Sequence, residues 1–196
     1  PYHGLNYLLD EAKGDYIAIQ DHDDIWHPEK IQIQVKVLDN HPEYKGCGSA
    51  RYVYYEALNK VTRYTKKPED HYAYHTSCMY RNEENLQYDT SVKESKDAYF
   101  QRYILCDNQK LFRNMNRILV LSRVHEAKEN LSERWRKKES LIEVLKKHGL
   151  KEAIYSLYTT IFSRKTIDKV SASILRNHKT KQVSKLGSPW KQYIST

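Results

Sequence analysis

The sequence predicts an α/β fold with helices flanking an open sheet. Three neighbouring features predict it: a helix stopping near Gly14, a short strand over residues 16–20, and a second helix opening at Pro28. Leu5, Leu8, Leu9 and Ala12 recur at i, i+3, i+4 and i+7, and Gly14 stands where a helix C-terminal glycine belongs. Tyr16 to Gln20 is a short apolar run between a turn and a cluster of acids, the pattern of a buried strand. Pro28 suits a first helical turn and Glu29 the positive end of the helix dipole. Ile31, Val35 and Leu38 then make one apolar stripe that Asn40-His41-Pro42 ends.

The acids between strand and helix are Asp21, Asp23 and Asp24. Crowded carboxylates repel one another, so a cation or solvent is expected beside them. If the extended backbone continues, Asp21 and Asp23 share one face. Two carboxylates at the carboxyl end of a strand suit a hard cation such as Mg²⁺ or Mn²⁺ with phosphates completing its shell, at the edge where open α/β sheets bind ligands. An EF-hand is excluded, because its glycine position, counted from Asp21, is Trp26 and its twelfth is Gln32.

Gly4-Leu5-Asn6, Ala12-Lys13-Gly14-Asp15-Tyr16-Ile17, Asp21-His22-Asp23-Asp24-Ile25-Trp26-His27-Pro28-Glu29-Lys30-Ile31 and Gln34 together resemble the middle of a family 2 glycosyltransferase. The resemblance runs from Gly4 to about Ser132. It implies the GT-A (Rossmann-like) fold, a mixed sheet flanked by helices, here truncated at its N-terminus and followed by an α-helical C-terminal extension. It also implies that Asp21 and Asp23 serve the metal and the diphosphate of a nucleotide sugar, a uridine-diphosphate sugar first. The acceptor would be a saccharide or a lipid-linked glycan, and the sugar would be transferred with inversion, in surface polysaccharide or glycan synthesis.

Further along, Cys47–Tyr55 and Val61–Thr65 have strand character around an Asn59-Lys60 turn, which makes a hairpin. Its tyrosines could stack a sugar ring or simply fill a half-buried sheet face. His75 to Arg81 is a second strand-like patch, and in the resembled family such a patch lines the sugars just before the catalytic acid. There a Glu-Asp pair opens a helix; here Ser95-Lys96-Asp97-Ala98-Tyr99-Phe100 stands in its place, so Asp97 matches the base and Lys96 replaces the Glu. An acid at that point would take the acceptor hydroxyl proton. On spacing alone Asp97 is equally a helix N-cap.

Leu119 to His125 is an apolar strand ending in Arg-Val-His, followed by Asn130-Leu131-Ser132. This resembles the Tyr-Arg-x-His…Asn-x-Ser ending of the family's catalytic domains, with Ser122 in the tyrosine position. The resemblance assigns Arg123 and His125 to the diphosphate, and His125 could join the metal shell. Glu133-Arg134-Trp135 resembles the end of a processive-synthase motif, but Leu131 stands where that motif needs Gln.

Charge divides the chain. Residues 128–196 carry +10 and the remainder −2. Trp135, Leu141, Ile142 and Leu145, then Ala153, Ile154, Leu157, Tyr158, Ile161 and Phe162, recur at helical spacing, with His148-Gly149 between them. We therefore divide the chain into a catalytic portion, residues 1–127, and a basic helical extension, 128–196, with a polar, poorly ordered end. Such helices could lie on an anionic membrane surface or be a solvated face. A non-catalytic nucleic-acid or membrane-surface adaptor is the alternative function, although no nucleic-acid-binding motif accompanies the charge and none is expected as partner. A metal phosphohydrolase built on His22-Asp23 lacks spaced ligands. Cys47, Cys78 and Cys106 form no metal-type or disulfide pattern, which suits a reducing cytoplasm, at most at the inner face of the membrane.

Overall fold

The computed structural model describes residues 2–56, 59–93, 95–124, 180–182 and 186–194. The chain divides into two compact units. The first holds Pro1–Val53, Arg63–Ser122 and Gly187–Thr196, and the second Tyr54–Thr62 and Arg123–Leu186.

The first unit opens with helix α1 (Tyr2–Glu11) and strand β1 (Tyr16–Ala18). Leu5 and Leu9 pack on the main apolar cluster, whereas Leu8 is 62% exposed, so the buried stripe is narrower than the sequence predicts. Asn82 closes the helix end by donating to the carbonyls of Ala12 (3.1 Å) and Gly14 (2.8 Å). The Ala12 carbonyl, just past the helix, has no partner within it, and the side-chain amide supplies one while also tying down the Gly14 turn.

Strand β2 (Ile25–Trp26) and helix α2 (Lys30–Asn40) follow. The buried positions of α2 are Lys30, Gln34 and Leu38, while Ile31 is 42% exposed. The inward stripe is thus rotated by one residue from the apolar one read in the sequence. Gln34 explains the rotation: its amide donates to the Ser77 carbonyl at 2.9 Å and to that of Cys47 at 3.4 Å, so a polar side chain bridges buried backbone. Arg81 closes the far end, donating to Leu38 O at 2.7 Å and Tyr44 O at 3.0 Å, where a cation also favours the helix dipole.

The sheet is mixed. Strand β3 (Gly46–Tyr55) and strand β5 (Met79–Arg81) are antiparallel, as are β1 and β5, with Ile17 opposite Tyr80. Strand β6 (Phe112–Val124) pairs antiparallel with β2, Ile25 opposite Leu121, and also pairs with β3. The β3–β6 contact runs parallel: Lys45 N reaches Leu111 O, and the Cβ positions of Gly46 and Gly48 face Phe112 and Asn114. This is the mixed, helix-flanked sheet expected of the sequence. β6 starts seven residues before the predicted strand, because Arg113, Asn114, Asn116 and Arg117 hide its first half from an apolar pattern.

The core gathers Tyr80, Tyr88, Phe100, Leu105, Cys106 and Phe112 on one side of the sheet and Leu38, Cys47 and Met79 on another. All three cysteines are buried free thiols. Trp190, in a short 3-10 turn (Trp190–Tyr193), is buried in this same unit, its ring 5.5 Å from that of His27 and 6.2 Å from that of Tyr52. Residues 187–194 are therefore built into the first unit, where the polar sequence suggested little order.

In the second unit, Asn59, at φ 48°, closes a turn onto Glu56 O. Strand β4 (Lys60–Tyr64) begins there and pairs antiparallel with β7 (Thr180–Gln182), Val61 opposite Lys181. The turn and strand fall where the sequence placed them. The predicted basic helices and His125 lie outside the described residues.

Candidate functional site

The acidic cluster forms a turn rather than a continued strand. Asp24 N donates to Asp21 O at 3.1 Å, so the chain reverses over His22 and Asp23, and the shared face expected for Asp21 and Asp23 does not arise from extended geometry. Asp21 is exposed, and the Asp23 side chain is 26% exposed beside His22, whose Nδ1 lies 3.9 Å from its carboxylate.

Asp24 points inward and has a different task. Ser122 Oγ donates to its Oδ2 at 3.1 Å, and Arg51 donates to Ser122 Oγ at 3.4 Å. The third acid thus pins the turn to β6. Sequence reasoning gave Asp24 no separate role, and the signal was the unusual serine at position 122.

Helix α3 (Lys96–Tyr99) runs into a wider π-helical stretch, Phe100–Leu105. Ser95 is its N-cap residue, in a left-handed conformation at φ 36°, and accepts from Tyr99 N at 2.9 Å. Asp97 is therefore in the first turn and not the N-cap. Its Oδ1 accepts a hydrogen bond from the Tyr2 hydroxyl at 2.7 Å and lies 3.5 Å from His75 Nδ1. Among the described residues no hydrogen bond reaches Oδ2. Lys96, in the place of the expected Glu, turns away and donates to the carbonyls of Thr90 (2.6 Å) and Val92.

Three distant parts of the sequence converge on Asp97. Asn6 of α1 exchanges two hydrogen bonds with the backbone of Tyr88, at 2.7 and 2.9 Å, and Tyr88 stacks on Phe100 with centroids 4.2 Å apart. Gln34 anchors Ser77, the last residue of the short 3-10 turn that carries His75. Burial, then the hydrogen bond and charge of Asp97, then the charge of Asp21 hold the Tyr2 hydroxyl well above the usual tyrosine range. Asp21 and Asp97 therefore both act on Tyr2. Tyr2 carried no role in the sequence reading and His75 only a place in the sugar-lining patch, since their contact with Asp97 is purely tertiary.

Arg123 belongs to the second unit, where its Nη2 and Nε hold Glu56 Oε1 at 2.7 and 3.1 Å. Trp26, prominent in the sequence, lies under the buried ammonium of Lys30 at 3.8 Å. Burial lowers the Lys30 pKa to about 8.

Among the described residues no group of three His, Cys, Asp or Glu side chains could hold a metal by itself, and no helix is long and apolar enough to cross a membrane. A site relying on Asp21 and Asp23 would need phosphate and water for the rest of its shell, which is how Mg²⁺ commonly binds.

The family model described as "Glycosyl transferase family 2" matches residues 1–123. A 52-residue stretch is 42% identical to the "Putative glycosyltransferase EpsE" of Bacillus subtilis (strain 168), covering 26% of this chain and 19% of that protein. Among solved structures, S. aureus TarS 1–349 in complex with UDP-GlcNAc is 13% identical, with a TM-score of 0.49 over 74% of this chain and 47% of that one. The complex of the same protein with UDP is 12% identical, with a TM-score of 0.48 over 90% and 51%. The chain spans about half the length of these structures and a fifth of the curated relative.

Proposed function

Because this chain belongs to glycosyl transferase family 2, we propose that it forms part of an enzyme moving a sugar, with inversion, from a nucleotide donor to a saccharide or lipid-linked acceptor in polysaccharide synthesis. The observation that carries this reading is Asp97: its Oδ1 is held by Tyr2, while Oδ2 has no hydrogen bond among the described residues. A carboxylate so oriented accepts the acceptor hydroxyl proton on its second oxygen as that hydroxyl attacks the sugar carbon.

The donor diphosphate would meet the turn that carries Asp21 and Asp23. These residues fit a hard divalent cation, Mn²⁺ or Mg²⁺, and would hold it together with the diphosphate. When bound, it would stabilise the charge of the departing nucleoside diphosphate. Arg123 and His125 are assigned to the same diphosphate, and for Arg123 this requires leaving or sharing Glu56. Residues 1–127 would be the transferase portion, and the basic extension predicted at 128–196, apart from residues 187–194 that pack in the first unit, a peripheral contact to the inner face of a membrane. The donor is a uridine-diphosphate sugar in this reading.

Calorimetric titration of uridine diphosphate with and without Mn²⁺, into this chain and its Asp23→Ala variant, tests the donor site. Metal-dependent binding that the variant loses is expected. Silence toward every nucleoside diphosphate would overturn the reading. Asp97→Asn should keep nucleotide binding and lose transfer.

A further inference from the structure

Two arms leave the contact between His75 and Asp97 and meet again at one ring. Running back from His75, Tyr74 and Tyr72 sit on a fixed loop. Running forward from Asp97, the helix carries Arg102, whose guanidinium lies 5.3 Å from the Tyr72 centroid. Lys66 lies at the same ring, its ammonium 3.9 Å from the centroid, and 5.2 Å from that of Tyr74. Arg51 lies 4.1 Å from the Tyr74 ring. Arg51, Lys66 and Arg102 thus alternate with Tyr74 and Tyr72 in one row, all inside the first unit.

The row is held rigidly. Ala73 N donates to Gln101 Oε1 at 2.6 Å, and Asn114 donates to the carbonyls of Asp70 (2.9 Å) and Tyr72 (3.2 Å). Both amides are buried, so the loop is fixed from the helix on one side and from β6 on the other. Gly48 lets it sit close, since a Cβ there would run into Ala73.

A ring face orients a cation without cancelling its charge, unlike a carboxylate. Among the described residues neither Lys66 nor Arg102 makes an ion pair, and both are only half-buried. The carboxylate felt at this row is that of Asp70, which acts on Tyr74 and is itself engaged by Lys67 N at 2.9 Å. Two cations that are half-dehydrated, pre-positioned and without an ion-pair partner among the described residues favour an anionic ligand, at little further cost in side-chain entropy.

We propose that Lys66 and Arg102, set about the Tyr72 ring, bind the anionic group of a saccharide acceptor, a carboxylate or a phosphate carried one or two sugars from the reacting hydroxyl. The inference rests on the assignment of Asp97 as base. Proximity favours a saccharide over other polyanions: Tyr72 is three residues from His75, at most about 10 Å of extended chain. Arg102 is five residues from Asp97, about 8 Å at α-helical rise. The backbone of the row thus stands within about 10 Å of His75 and Asp97, a span that one or two sugars can bridge.

The test is calorimetric binding to the whole chain, without nucleotide, of maltotetraose, phosphorylated maltotetraose, tetragalacturonate and a short oligothymidylate of matching charge. One or both anionic saccharides should bind at least tenfold more tightly than maltotetraose, more weakly as salt rises, and tenfold more weakly to Lys66→Ala/Arg102→Ala. Which of the two binds identifies the anion. Lys67→Ala, which removes an exposed lysine next to the row, should bind as the parent does. Equal binding of maltotetraose, tighter binding of the oligothymidylate, no binding of either anionic saccharide, or an unaffected double variant would each overturn the proposal. Asp23→Ala separates the two readings, because it should lose uridine diphosphate and keep the anionic saccharide.

Discussion

The Tyr2 hydroxyl donates to Oδ1 of Asp97 at 2.7 Å across 95 positions of sequence. The first turn of the first helix therefore orients a carboxylate in the third. Tyr2→Phe removes one hydrogen bond to an ionised group and should cost about 1.5–3 kcal/mol of stability. Urea denaturation measures this, and an unchanged midpoint would mean that solvent already satisfies Asp97.

Lys30 predicts an unusual pH response. Its folded pKa is lowered to about 8, from an ordinary lysine value of 10.5, because burial disfavours the ammonium. Below pH 8 both states hold the proton and the fold carries the full penalty. Between pH 8 and 10.5 the unfolded chain keeps the proton that the folded chain has released, so stability rises with pH. Lys30→Met should be more stable at pH 7, by up to about 3 kcal/mol less the lost Trp26 contact. Its advantage should shrink across that window, and denaturation at pH 7, 9 and 10.5 checks the sign.

The thiols act in the opposite sense. Burial pushes Cys47 and Cys106 up to about 12. Each contributes stability that is intact below pH 9 and is lost as pH rises toward 12. Cys106→Ala should therefore flatten the alkaline limb of the stability profile, whatever it costs at neutral pH.

Gly48→Ala should destabilise the fold by about 1–3 kcal/mol, because the added methyl meets Ala73 on one side and Asn114 on the other and the packed loop must shift. Gly187→Ala, with nothing within 4 Å of its new Cβ, is the matched control. Equal thermal midpoints for the two would contradict the close approach.

Ser122→Ala should cost about 1–3 kcal/mol, since the buried Asp24 carboxylate loses a donor. Thermal unfolding with and without uridine diphosphate would show whether the acidic turn depends on that anchor.

The helix–strand–helix opening was legible because its signals are local: apolar spacing, a glycine, a proline and a compact run of acids. Asp97 was legible as an acid at the start of a helix. Its surroundings were not, because Tyr2, His75 and Gln34 reach it only through the tertiary fold. The same limit hid the first half of β6. Asn114 is buried there to satisfy loop carbonyls, and a polar residue doing so looks in sequence like a break in the strand. The rotation of α2 follows the same logic, with buried Gln34 and Lys30 displacing the apolar stripe that periodicity favours.

Trp190 sets a condition on how the protein is made. Its ring is buried against His27 and Tyr52, yet 64 residues separate Ser122 from Gly187, the two ends of consecutive segments of the first unit. A nascent chain emerging from the ribosome can lay down the first unit through Ser122 but must leave the Trp190 slot empty until the 64 intervening residues have followed. Completion of the first unit therefore lags behind its own earlier segments, and His27 and Tyr52 wait uncovered in the meantime for the closing of a long loop.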